Sequence, residues 1–325
     1  MRTPRPAAAL SAVTLALAVQ AQVTTEVAFT AQVDGTTQYY VQLVAPTFDT
    51  SKVHDVLIAL HGAGFDRWQF ATDQRDECRA ARAAAASRGM IYISPDYRAP
   101  TSFMGIKADA DVVQIIRDLR AKYHVGRVFI CGASMGGGGC LTFTAVHPDL
   151  VSGVASMNGI VNYFEWPGGD WGPIVESFGG TMQQVPDEYR KRSAEFWPGR
   201  FTMPVGLAVS ANDNVCPPAA VLRFAQALRD SGKSVLLLND PSAGHATVFA
   251  NAKAVLDFAI DSAKSVLVVP RQSVGRAGAN GSAQHLSLRV PAAGMGAACG
   301  APGMDLGGRL VAQLRRPSGG VLVVR

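Results

Sequence analysis

The chain has 325 residues, 48% of them hydrophobic, which allows one large α/β domain plus something small and supplies ample apolar material for a core. Its net charge of +5 is uneven: Arg2 and Arg5 contribute +2, residues 265–325 contribute +6 through seven arginines against Asp305, and the remainder, by difference, carries −3. The positive balance therefore belongs to the two ends and gives no argument for nucleic-acid binding by the main domain.

The first residues have the pattern of a secretory signal. Arg2 and Arg5 form a positive start, Ala7 to Val19 is an apolar run too short to span a bilayer, and Val19-Gln20-Ala21 is a small-residue cleavage site. The expectation is a signal peptide over 1–21 and an exported protein, secreted or periplasmic, with an uncleaved N-terminal anchor as the alternative. No other segment has the length and apolarity of a transmembrane helix, so no membrane association is expected after cleavage. Export permits disulfides, but the five cysteines (Cys78, Cys131, Cys140, Cys216, Cys299) are odd in number and their pairing stays open. No spacing resembles a zinc site, and neither metal nor cofactor is expected.

In chain order, 27–33 and 36–44 read as opening antiparallel strands joined by Asp34-Gly35, a two-residue hairpin signal. Apolar strands then follow at about 54–60, 90–94, 127–131, 152–157, 204–210 and 234–239. Helical patterns lie near 68–88, 108–123, 135–146, 218–231 and 246–263. Short continuous apolar strands alternating with amphipathic helices imply a mainly parallel sheet of about eight strands covered on both faces. Residues 161–203 interrupt the alternation and hold Tyr163, Phe164, Trp166, Trp171, Phe178, Tyr189, Phe196 and Trp197. This excursion reads as a cap over a site or as a packed segment whose aromatics fill its own core. The Gly/Ala/Arg-rich tail 266–325 has short strand-like pieces and no helical periodicity, and reads as a small or incomplete β module or as disordered chain. The expected division is thus 1–21 signal, 22–265 catalytic domain and 266–325 tail.

The chemistry starts at Ser134. The run Gly132-Ala133-Ser134-Met135-Gly136 is a G-x-S-x-G sequence with an apolar strand before it and a helix behind. A serine hydroxyl is a weak nucleophile unless held exposed beside a base and an oxyanion site, and a sharp strand-to-helix turn does that. Gly136 to Gly139 would let the following helix pack closely on the sheet. Three further signals also follow apolar strands: His61-Gly62-Ala63-Gly64, Asp213 in Asn212-Asp213-Asn214, and His245 in Ser242-Ala243-Gly244-His245. Ser134 is the expected nucleophile, His245 the general base and Asp213 the residue that orients His245. Asp240 is the rival for the last role, but it stands only five residues before His245 in the same loop. The oxyanion donors should be the backbone amides of Met135 and Ala63, with Gly64 as the alternative to Ala63.

The order Ser, Asp, His and these motifs resemble the α/β-hydrolase superfamily over about 40–265, in particular its prolyl-oligopeptidase-type and acetyl-esterase-like branch. The residues that carry the likeness are His61 to Gly64, Ser94-Pro95-Asp96-Tyr97-Arg98, Gly132 to Gly137, Asp213 with Pro217, and Gly244-His245. The likeness implies an α/β-hydrolase fold with 161–203 as the inserted cap. Peptidases of that branch usually carry a large N-terminal propeller, whereas about 35 residues separate the signal from the strand before His61, which favours a small esterase. A local resemblance to cutinase-like polyester hydrolases rests on Ser134 to Gly139, but those enzymes lack the His-Gly loop. The expected activity is hydrolysis of carboxylic esters through an acyl-enzyme, with short acyl groups such as acetyl or feruloyl on carbohydrates as substrate. The alternatives are a prolyl-oligopeptidase-type peptidase on short peptides, a polyester hydrolase and a non-catalytic binding module. The sequence does not fix the oligomeric state.

Overall fold

A computed structural model describes residues 22–169 and 171–263. The expected signal peptide 1–21 and the tail 266–325, with Cys299, lie outside them. Eight strands form one sheet: β1 (Val23–Thr30), β2 (Thr37–Val44), β3 (Val53–Leu60), β4 (Ile91–Pro95), β5 (His124–Ala133), β6 (Gly153–Met157), β7 (Val205–Ser210) and β8 (Val235–Asp240). Their order is β1-β2-β4-β3-β5-β6-β7-β8. β2 runs antiparallel to both β1 and β4, and the other pairings are parallel. The sheet is the mainly parallel, eight-stranded one expected.

Two apolar cores lie on its two faces, because parallel strands bury both sides. Val56, Ile58 and Leu60 of β3 point into one, with Val128 and Ile130 of β5. Leu57 and Ala59 point into the other, with Phe129 and Cys131. The first core is closed by α3 (Ile106–Lys122), α4 (Met135–Val146) and α7 (Ala219–Asp230). The second is closed by α1 (Trp68–Thr72), α2 (Asp76–Ala86) and α8 (Phe249–Asp261), the latter two packed on each other. Among the described residues no helix is long and apolar enough to cross a membrane.

Several element boundaries differ from expectation; β5, for one, starts three residues early, at His124. The opening hairpin is displaced: β1 begins at Val23, and its ladder ends at the pair Thr30 and Thr37. Asp34-Gly35 belongs to a longer turn closed by Ala31 N–H donating to Thr36 O (2.8 Å), with Asp34 Oδ1 accepting from Thr36 N–H. β1 is a largely exposed edge strand, so burial leaves little apolar pattern to mark its register. The helix expected over 68–88 is two helices, because Asp73 adopts an extended conformation and its Oδ1 accepts from Arg75 N–H, starting a new turn. The last helix starts at Phe249 and leaves 244–248 as a loop.

The excursion between β6 and β7 carries α5 (Gly172–Phe178) and α6 (Pro186–Arg192). Three of its eight aromatics, Tyr163, Phe178 and Tyr189, are fully buried and meet edge to face at 4.9–5.2 Å. The buried Arg192 ties it down. Its guanidinium lies over Phe178, pairs with Glu188 and donates to Met104 O, and its carbonyl accepts from the Thr142 hydroxyl of α4.

Candidate active site

The three expected side chains arrive from separate strand ends at one edge of the sheet, the place where such sheets bind ligands. Ser134 follows β5, Asp213 follows β7 and His245 follows β8. His245 Nε2 lies 2.9 Å from Ser134 Oγ, and His245 Nδ1 lies 2.7 Å from Asp213 Oδ2. A carboxylate oxygen only accepts, so Nδ1 carries the proton and Nε2 is left as the acceptor for the Ser134 hydroxyl. Asp213 is buried, and its Oδ1 is fixed by the backbone N–H groups of Val215 (2.9 Å) and Cys216 (2.8 Å). Asp240 is not brought to His245. Its Oδ1 accepts from Ser242 N–H, Ser242 Oγ–H and Ala243 N–H, which hold its own turn and keep its pKa below the ordinary value.

Ser134 sits at φ +56°, ψ −120°, a left-handed backbone conformation that costs a non-glycine residue of order 1–3 kcal/mol and occurs mainly at functional sites. The neighbouring glycines make this turn possible by close approach. A Cβ on Gly136 would lie 2.0 Å from Leu60 O, and one on Gly132 would lie 2.4 Å from Gly136 C. α4 is thereby seated directly on the end of β3.

That seating brings the loop after β3 beside the nucleophile: a Cβ on Gly62 would lie 3.8 Å from Ser134 Cβ. The loop is pinned from several sides. Gly62 N–H donates to Gln69 Oε1 (2.8 Å), Tyr97 O–H donates to His61 O (2.5 Å), and the buried His61 ring lies between the carbonyls of Gly62 and Asp96. Burial lowers the His61 pKa, against the two carbonyls that face its ring nitrogens and favour the charged form. Gly64 N–H is committed to Pro100 O (2.9 Å). Ala63 N–H makes no hydrogen bond among the described residues, and Met135, as the first residue of α4, has no intrahelical carbonyl to donate to. Both amides are therefore open to donate, as are others of the first turn of α4.

The sequence did not single out several residues that complete the site. Gln69 holds Gly62. Asn158, after β6 at φ +48°, points its amide at Ser210 Oγ and at the carbonyls of Gly244 and Ala246, bracing the His245 loop. A polar residue directly after an apolar strand was the available signal for Asn158. The buried Cys216 thiol is pushed up to about 12 by burial and by the Asp213 charge, while interaction with the Ser134 hydroxyl pulls the other way. Cys78, Cys131, Cys140 and Cys216 are all buried free thiols.

Two cavities lie in this region, and Ser134 lines the larger. A cleft of about 740 Å³ is lined by Gly62, Ala63, Phe65, Ser134, Asn158 and His245, among others. A smaller cavity of about 120 Å³ lies between Gly159, Ile160, Asn162, Trp166 and Cys216. The excursion contributes to the smaller one alone, through 161–166; Trp166 is steered there by donating its indole N–H to Val215 O (2.8 Å). Among the described residues no group of His, Cys, Asp and Glu could hold a metal ion.

A serine at a strained strand-to-helix turn, hydrogen-bonded through histidine to a buried aspartate on this sheet, defines a serine hydrolase of the α/β-hydrolase fold. The chain belongs to the prolyl oligopeptidase family (peptidase S9), whose family model matches residues 78–261. Comparison with curated protein sequences gives no match. Among solved structures it is similar to puromycin hydrolase (TM-score 0.58, 19% identity, 73% of this chain and 38% of that one). It is similar also to the Pyrococcus horikoshii acylaminoacyl peptidase (0.55, 18%, 73% and 40%). A third likeness is to an S-formylglutathione hydrolase from Agrobacterium tumefaciens (0.57, 14%, 73% and 92%). The chain thus spans about two-fifths of the length of the first two and most of the third. At these identities the likeness is one of fold.

Proposed function

We propose that the protein hydrolyses carboxylic esters of short acyl groups, acetyl above all, carried on carbohydrate alcohols, and that it does so after export. The observation that carries the chemistry is the continuous contact from Ser134 Oγ through His245 to Asp213. Ser134 Oγ attacks the ester carbonyl while His245 Nε2 takes its proton, and Asp213 stabilises the resulting imidazolium. The amides of Ala63 and Met135 hold the tetrahedral oxyanion. As the intermediate collapses, the C–O bond to the alcohol breaks and His245 returns the proton to the alcohol oxygen. Water then attacks the acyl-serine by the same route, releasing the acid and restoring Ser134.

The size of the smaller cavity supports a short acyl group. It holds about 120 Å³ and is walled by Cys216, whose thiol interacts with the Ser134 hydroxyl, and by Gly159 and Ile160, packed on Gly137 and Gly138 of α4. A cavity of about 150 Å³ accommodates one benzene ring, so this one matches acetyl more closely than feruloyl. A second reading, cleavage of short peptide amides, is favoured by the family match.

The experiment is hydrolysis of p-nitrophenyl acetate, butyrate and octanoate beside an aminoacyl p-nitroanilide, by the protein starting at Gln22 and by its Ser134→Ala variant. Rates that fall steeply with acyl length, exceed the anilide rate and vanish in Ser134→Ala support the ester reading. Anilide cleavage at a comparable rate supports the peptidase. Export is tested by the N-terminal sequence of the protein recovered outside the cytoplasm, expected to begin at Gln22.

A further inference from the structure

The large cleft does not end at the catalytic residues. It runs to the start of α2, where Arg75, Asp76 and Glu77 share its wall with Phe65. Most polar groups there are committed. Gln69 Oε1 holds Gly62 N–H, and Asp76 accepts from Phe249 N–H (3.0 Å) and Arg79 (3.1 Å). Arg75 lies 4.4 Å over the Phe65 ring and 3.7 Å from Asp73. Glu77 is different. It is partly buried, and among the described residues its carboxylate has no ion pair and accepts from no side chain or backbone N–H but its own. Burial raises its pKa, with Arg75 offsetting this in part. A partly desolvated carboxylate with uncommitted lone pairs, facing an open cleft, is available to accept from a ligand's donors in place of water.

The side of the cleft identifies which part of the ligand supplies them. The leaving alcohol must lie where His245 can protonate it, and His245 lines this cleft while the smaller cavity lacks it. The charges select the chemistry. Arg75 opposes an ammonium group, and Asp76 with Glu77 opposes a carboxylate, so a neutral group rich in hydroxyls fits both constraints.

We propose that Glu77, with Phe65 beside it, is the alcohol subsite of the cleft and accepts hydrogen bonds from the hydroxyls of a neutral sugar whose ester Ser134 cleaves. This rests on the ester reading above. Glu77 is a specificity residue that touches the alcohol portion and leaves the reacting carbonyl to Ser134 and the amides.

The test compares kcat/KM for a monoacetylated methyl glucoside, ethyl acetate and acetylcholine in wild type, Glu77→Gln and Glu77→Ala. Hydrogen bonds to a charged acceptor are worth about a tenfold or larger change in binding. Glu77→Ala should therefore lower kcat/KM for the sugar ester by about tenfold or more relative to ethyl acetate, mainly through KM. Glu77→Gln, which keeps one acceptor oxygen, should retain part of the preference. Equal losses on sugar ester and ethyl acetate, or none, overturn the proposal, as does a wild-type preference for acetylcholine that Glu77→Gln removes. Methyl glucoside binding to Ser134→Ala, followed by calorimetry, reads the subsite without turnover. Binding weakened about tenfold by a further Glu77→Ala supports it, and no binding overturns it, whatever becomes of the ester activity. If sugar binding depends on Glu77 but no ester is cleaved, the ester reading alone has failed.

Discussion

At the scale of single residues, two aspartates with the same sequence credentials have opposite fates. Asp213 and Asp240 both stand at strand ends, yet Asp213 reaches across 32 positions to His245 while Asp240 is spent on the turn that follows it. Asp213→Asn should lower kcat by about 10³–10⁴-fold, because the amide favours the wrong imidazole tautomer. Asp240→Asn should leave turnover within about twofold, since surface changes away from the reacting groups act weakly. Steady-state kinetics on one ester separates the two. The thiols give a second prediction. Burial pushes Cys78 and Cys216 up to about 12 and raises Cys131 and Cys140 well above the ordinary thiol value, so all four remain protonated at pH 8. In a Cys299→Ser variant, Ellman's reagent should find no fast-reacting thiol until denaturant is added. A rapid stoichiometric reaction in the native protein would contradict this.

At the scale of elements, α4 divides its glycines by what surrounds them. Gly136 has no room for a methyl group, since a Cβ would lie 2.0 Å from Leu60 O. Gly139 has its nearest neighbour, Leu60 Cδ1, at 3.4 Å and sits inside the helix. Gly139→Ala should raise stability by about 0.5–1 kcal/mol through helix propensity, and Gly136→Ala should destabilise strongly or prevent folding. Denaturant unfolding midpoints check both. α4 itself was legible to the residue, because a strand, an elbow motif and an apolar helix leave its start and end little freedom. The edge hairpin was not: β1 is exposed, and its register comes from the backbone ladder more than from burial. The strand ends that carry Ser134, Asp213 and His245 were readable because each apolar run stops where the sheet does. Asn158 carried only its place after an apolar strand, and Gln69 and the cleft residue Glu77 carried no signal, since their roles exist only once separate loops meet.

At the scale of the whole molecule, acid should destabilise the fold. Asp34, Asp49, Asp240 and Asp261 all have pKa values below the ordinary one, held down by hydrogen bonds from Arg98, Ser51, Ser242 and Arg88. A depressed carboxylate contributes stability that is present above its unfolded pKa of about 3.9 and is lost as pH falls toward the folded value. Glu77 and Asp111 act in the opposite sense, since burial raises them and their protonation relieves a cost. The depressed groups are more numerous, so the melting temperature should fall from about pH 4 downward. A melting temperature flat or rising over that range would contradict the balance.

The proposed chemistry rests on Ser134 as the acyl-accepting nucleophile activated by His245. Intact mass after treatment with diisopropyl fluorophosphate, followed by peptide mapping, tests it most directly. One adduct is expected, on Ser134, absent in Ser134→Ala and formed at least about a thousandfold more slowly in His245→Ala. No adduct on the folded protein, or an adduct on another residue, would contradict it.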